Sequence, residues 1–166
     1  MKLYAWHGPG IFEVAFVDLG DDRLTARGTQ LRADYRLSYV LETSEMFVSE
    51  HLRAEVETAH RAGTLDLRRG TKPLKDDVLD IDLQASPLFN SLPVLRDRLH
   101  EGGDAREYTM AFVNVPELSV VRSTQRYVPL EHGTVRYRSG TFTADIEFDA
   151  DGFVVRYPGL AERVVS

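Results

Sequence analysis

The sequence predicts an all-β fold built on antiparallel sheet. Three observations carry that prediction. Apolar and polar residues alternate with period 2 in most ordered-looking segments, those segments are rich in Val, Tyr, Phe and Thr, and helix signals are few. With 166 residues, 43% hydrophobic and 28% charged, the chain can bury a core of its own, and residues 1–166 read as one domain.

The elements follow in order. Tyr35, Leu37, Tyr39 and Leu41 fall on one face and Arg36 and Ser38 on the other, which describes a strand with one side on a core. Met46, Val48, Leu52, Ala54 and Val56 continue the alternation, so 45–62 reads as strand although its Glu, Ala, Arg and Leu content would also suit a helix. Leu79, Ile81 and Leu83 alternate with Asp80 and Asp82, placing both carboxylates on the solvated side. Ser86 and Pro87 suit the cap and first position of a single helical turn, which Pro93 is expected to end. Near the C-terminus, Asp149-Ala150-Asp151-Gly152 supplies turn chemistry between two alternating runs. Pairing Phe148 with Phe153 sets Ile146 opposite Val155, Ala144 opposite Tyr157 and Asp145 opposite Arg156, and keeps Arg156 off the buried face.

Composition excludes several function classes. Without Cys there is no disulfide, thiol redox chemistry or Cys-based zinc site. A formal net charge of −6, with all but three of the 20 basic residues being scattered Arg, argues against nucleic acid as a partner. The N-terminal residues carry no apolar signal core and no window is apolar enough to span a bilayer, which predicts a cytoplasmic protein. No G-x-S-x-G, Walker loop, dinucleotide fingerprint or H-E-x-x-H occurs, and the five His have no metal-ligand spacing. Asp76, Asp77, Asp80 and Asp82 have the oxygens a hard cation needs, but they read better as a loop and the outer face of a strand. No metal or cofactor is expected.

Polar residues that interrupt apolar faces carry the functional signal. Glu50 shares parity with Met46, Val48, Leu52 and Ala54, where a carboxylate is costly unless paired or solvated. Arg122 and Arg126 interrupt the face of Leu118, Val120 and Val128, while Gln125 and Tyr127 share the other face with Val121. A twisted or bulged strand, or a buried Arg–Glu pair, explains this without a ligand. A cavity inside a curved sheet explains it with one. Tyr39, Tyr137 and Tyr157 would then form walls, and Glu50, Arg122, Gln125 and Tyr127 polar anchors for an amphipathic molecule.

The run from Leu79 to Val94, LDIDLQASPLFNSLPV, is similar to a pattern near D-V-D-L-x-x-S-P-F-T-N-T-L-P-I. Gln125-Arg126-Tyr127 follows as Q-x-Y, and 142–160 follows F-x-A-x-L-x-V-D-x-x-G-x-V-x-x-Y-P-G-L. In these three ordered motifs the chain resembles the bacterial family named Putative glycolipid-binding. The likeness is strongest in the C-terminal half; Phe47 and Leu67 stand near places where that family often has Trp. The resemblance implies a strongly curved antiparallel sheet closing into a barrel-like or clam-like shape with few short helical turns, akin to carriers of lipids and lipoproteins. It implies a lipid or glycolipid-like ligand and brings no catalytic residues. Within the motif, Asp82, Ser86, Asn90 and Pro93 are expected to be structural, Ser and Asn bonding backbone where the strand turns. The competing functions are a hydrolase or isomerase using Glu50 with nearby Arg or Tyr, and an interaction module using a sheet edge.

Overall fold

The computed structural model describes residues 1–75 and 77–165. Thirteen strands and one α-helix follow one another along the chain: β1 (Lys2–Gly8), β2 (Ile11–Leu19), β3 (Leu24–Arg32), β4 (Tyr35–Thr43), β5 (Ser49–Thr58), β6 (Ala62–Arg68), β7 (Val78–Leu83), α1 (Pro87–Asp97), β8 (Arg106–Val113), β9 (Val120–Pro129), β10 (Thr134–Ser139), β11 (Phe142–Phe148), β12 (Val154–Tyr157) and β13 (Ala161–Val165). All thirteen strands belong to one sheet in the order β6-β5-β4-β3-β2-β1-β13-β12-β11-β10-β9-β8-β7. Neighbours are antiparallel except β7 and β8, whose parallel pairing follows from the α1 crossover between them.

The sheet curls until its two edges approach, but no ladder joins β6 to β7, so it is not a closed barrel. Side chains bridge the gap instead. The Ser49 hydroxyl accepts the Ile81 N–H at 3.1 Å. Arg69 donates to the Ser49 carbonyl through Nε at 3.0 Å and to the Val78 and Leu79 carbonyls at 2.7 and 3.0 Å. Edge carbonyls that would otherwise invite another strand are thereby occupied.

Alternation reads correctly through β4, where Tyr35, Leu37, Tyr39 and Leu41 are buried and Arg36 is exposed. Five expectations need correction, the first being the strand read over 45–62: only Ser49–Thr58 forms it, and Met46, in a 3-10 turn before it, is exposed. Glu50 does not point at the core: Glu42 pairs with His51 but Thr43 with Ser49, so Glu50 is the extra residue of a bulge. Its carboxylate accepts from the Ser44 hydroxyl at 2.8 Å and lies 3.8 Å from Arg69.

Asp80 and Asp82 are buried rather than solvated, because α1 packs over the second face of β7. Helix α1 runs through Pro93 to Asp97. A proline there removes one helical N–H and so deprives one earlier carbonyl, and burial of Leu88, Phe89, Leu92 and Val94 outweighs that loss.

In the C-terminal hairpin, Phe148 pairs with Val154 and Glu147 with Arg156 across an irregularity. Asp149 causes the offset: its carboxylate accepts the N–H groups of Asp151 and Phe153, widening the turn. Phe148 and Phe153 are both buried, in different clusters, and Asp145 pairs with Arg136 of β10. Arg156 stays exposed as expected.

Leu88, Phe89 and Leu92 belong to a core spread over β1–β8, and Val94 to a second core over β8–β12. Helix α1 therefore contributes side chains to both cores. Trp6, fully buried, donates to the Val154 carbonyl at 2.8 Å and ties β1 to β12.

Candidate functional site

The curl is not filled completely. A cleft of about 440 Å³ lies where β7 meets α1, bounded by β10, the start of β11 and the chain after β12. Tyr137, Phe142, Tyr157 and Leu160 supply apolar lining, and Asp82, Ser86 and Asn90, from β7 and the start of α1, polar lining. The ring centroids of Tyr137, Phe142 and Tyr157 lie 6.0 to 6.5 Å from one another. Phe142 is half exposed.

Helix placement explains the polar lining. Asp82 is next to last in a strand covered by α1, Ser86 precedes the helix, and Asn90 sits in its first turns. Asp82 accepts from Gln125 Nε2 at 2.5 Å; Tyr127 donates to Gln125 Oε1 at 3.3 Å and accepts from Asn90 at 3.1 Å. Burial pushes the Asp82 carboxyl up to about 6, against the Gln125 hydrogen bond. Burial also raises the phenols of Tyr127, Tyr137 and Tyr157, with the Asp82 charge adding to it, so they remain hydrogen-bond donors at neutral pH.

Behind Ser86 lies a second polar cluster. Glu13, fully buried in β2, accepts from Ser86 and Tyr39 at 2.7 Å each and from Gln30 at 3.2 Å. Gln30 also accepts from Tyr35. Burial lifts the Glu13 carboxyl to about 7 although all three hydrogen bonds oppose it.

Of the residues selected from sequence, Tyr137 and Tyr157 line the cleft, and Gln125 and Tyr127 stand one layer behind it. Tyr39 does not line it, being bonded to Glu13 and packed edge-on against Phe89. Glu50 sits in the edge bulge. Arg122 is exposed and pairs with Asp77 at 2.9 Å. The arginine beside Glu50 is thus Arg69, whereas Arg122 pairs with Asp77. Asp82, Ser86 and Asn90 bond side chains instead of the backbone expected of a turn motif, and they face the cleft.

Phe142 and Glu13 went unrecognised. Phe142 could have been found as an aromatic beginning an alternating strand. Glu13 had no comparable signal, because Ile11, Ala15 and Val17 on its face and Phe12, Val14 and Phe16 on the other are equally apolar. Asp76 lies outside the described residues. Among the described residues no group of three or more His, Asp or Glu could hold a metal ion, and no helix is long and apolar enough to cross a membrane.

A family model described as "Putative glycolipid-binding" matches residues 5–163. The chain belongs to this family. Phe47 and Leu67 are part of its buried core. Its structure is similar to the crystal structure of a DUF1089 family protein from Pseudomonas aeruginosa, with a TM-score of 0.77 and 25% sequence identity over 95% of this chain and 94% of that one. No curated protein matches it.

Proposed function

We propose that this protein binds a glycolipid-like amphiphile in the cleft, its polar head against Asp82, Ser86 and Asn90 and its apolar part along Tyr137, Phe142, Tyr157 and Leu160. The observation that carries this reading is the mixed lining: aromatic and aliphatic surface together with polar groups from β7 and the start of α1. Tyr and Phe faces cover sugar rings or methylenes, and a carboxylate, amide and hydroxyl orient a polyol. At about 440 Å³ the cleft has room for a head group and the first part of a chain. The family description points the same way.

Calorimetry with alkyl glucosides of six to ten carbons tests the reading. Affinity is expected to rise about fourfold per methylene until the apolar lining is covered, at ~0.8 kcal/mol per buried CH₂. Phe142→Ser should weaken every member of the series, since half of that ring is already in solvent and its loss leaves the core intact. No saturable binding, or affinity independent of chain length and of Phe142, would contradict it.

A further inference from the structure

The charge of the cleft narrows the class of head group, an inference that rests on the binding function proposed above. Among the described residues Asp82 is the one carboxylate in the lining, and no Lys, Arg or His reaches the cleft. The other buried carboxylates are answered within the protein: Asp80 by Arg96, Glu13 by three hydrogen-bond donors. Among the described residues Asp82 has one neutral partner, Gln125, and no cation acts on it; the charge it feels is the like charge of Asp80. A carboxylate 7% exposed at the base of an aromatic cleft, without a counter-charge, is electrostatically incomplete.

The three rings complete the picture. With centroids 6.0, 6.3 and 6.5 Å apart, Tyr137, Phe142 and Tyr157 form a compact aromatic corner in the same lining. Ring faces attract cations through their quadrupoles, and a cation within ~6 Å of several rings gains from each. An anionic head would meet the opposite: an uncompensated carboxylate, three aromatic rings and no basic side chain.

We infer that the cleft selects an amphiphile whose head group carries a protonated or quaternary amine, held between the Asp82 carboxylate and the Tyr137, Phe142 and Tyr157 rings, and rejects phosphate, sulfate and carboxylate heads. Two sources share this chemistry, an amino sugar and a simple alkylammonium. The first would also use Asn90 and Ser86 for its hydroxyls; the second would depend mainly on the rings.

The test compares four octyl amphiphiles below their micelle concentration at pH 7.5 and 0.15 M salt: octyl glucoside, octyl 2-amino-2-deoxyglucoside, octyltrimethylammonium and octyl sulfate. The expected order places at least one ammonium about tenfold or more tighter than the glucoside, with the sulfate weakest. The tighter of the two ammonium compounds identifies the source. Asp82→Asn should bring the ammonium-to-glucoside ratio to within about twofold of unity, whereas Glu131→Gln, which removes one exposed charge elsewhere, should leave the ratio unchanged. The wild-type comparison stands whether or not Asp82→Asn folds. If the glucoside binds as tightly as both ammonium compounds, if the sulfate binds best, or if the ratio survives Asp82→Asn, the charge inference is wrong while amphiphile binding stands. If none of the four binds, both fail.

Discussion

Ser86 donates its hydroxyl hydrogen to Glu13 across 2.7 Å, joining the turn before α1 to the first half of β2, 73 residues earlier in the chain. This bond connects the wall of the cleft to a fully buried carboxylate whose affinity for a proton burial has raised to about 7.

Glu13 should therefore make stability fall as pH rises. Its unfolded value is 4.5 and its folded value about 7, so between them the folded state holds more protons than the unfolded state. By linkage, stability from this group is fully present below pH ~4.5 and lost as pH rises through ~7, roughly 3 kcal/mol in all at about 1.4 kcal/mol per pH unit. Asp82 adds a contribution of the same sign at lower pH, its folded value being about 6. Urea melts of wild type and Glu13→Gln at pH 5 and pH 8 isolate the Glu13 part. The variant should lose much of the decline between the two pH values, and an unchanged decline would show that Glu13 does not titrate there.

Arg69 should prove to be the clasp that holds the curl shut. One guanidinium serves carbonyls from both edges, Ser49 on one side and Val78 and Leu79 on the other. Arg69→Ala is expected to cost roughly 2–3 kcal/mol, the range for charge-assisted hydrogen bonds left unmade. Lys cannot reproduce a planar fork, so Arg69→Lys should recover less than half. Hydrogen exchange gives a local reading: the Ile81 amide, bonded to Ser49, should lose protection in Arg69→Ala more than amides in β2 do.

Gly28 is required by Tyr39 rather than by its own backbone. The two residues face each other across β3 and β4, and a Cβ on Gly28 would overlap the Cζ and Oη atoms of the tyrosine. The ring cannot yield easily, because its hydroxyl is bonded to Glu13 and its edge packs on Phe89. Gly28→Ala should cost about 1–3 kcal/mol, as overpacking does. In a Tyr39→Ala background the same change should cost less, and additivity of the two would refute the coupling.

How much of this was legible depended on whether one face or two were covered. In β4 one face meets the core and the other water, so alternation assigned Tyr35 through Leu41 correctly. In β7 the α1 helix covers the second face, and a pattern that reads as half-solvated hides two buried aspartates. No local rule reports a cover that arrives from later in the chain. Glu50 misled for another reason: a single bulge residue flips parity, so the interruption was real but its direction was not. Tyr137 and Tyr157 were recognisable as aromatic residues on buried faces. Asp82, Ser86 and Asn90 were visible as a motif, but their chemistry became apparent only once α1 set them beside β9 and β10.

The Asp80–Arg96 pair offers the sharpest test of that cover. Both side chains are almost wholly buried, and the guanidinium meets the carboxylate in two bonds of 2.7 and 2.6 Å while lying over the Tyr108 ring. Burial raises the Asp80 carboxyl even with Arg96 beside it, so the pair offsets a desolvation cost instead of adding much net stability. Arg96→Met strands the carboxylate and should cost about 3–5 kcal/mol, measured as the shift in urea unfolding. Asp80→Leu added to Arg96→Met removes the stranded charge and replaces it with apolar contact between β7 and α1. The double variant should regain most of the loss. A double variant no more stable than Arg96→Met would mean that the pair itself, and not the burial imposed by the helix, holds α1 against the sheet.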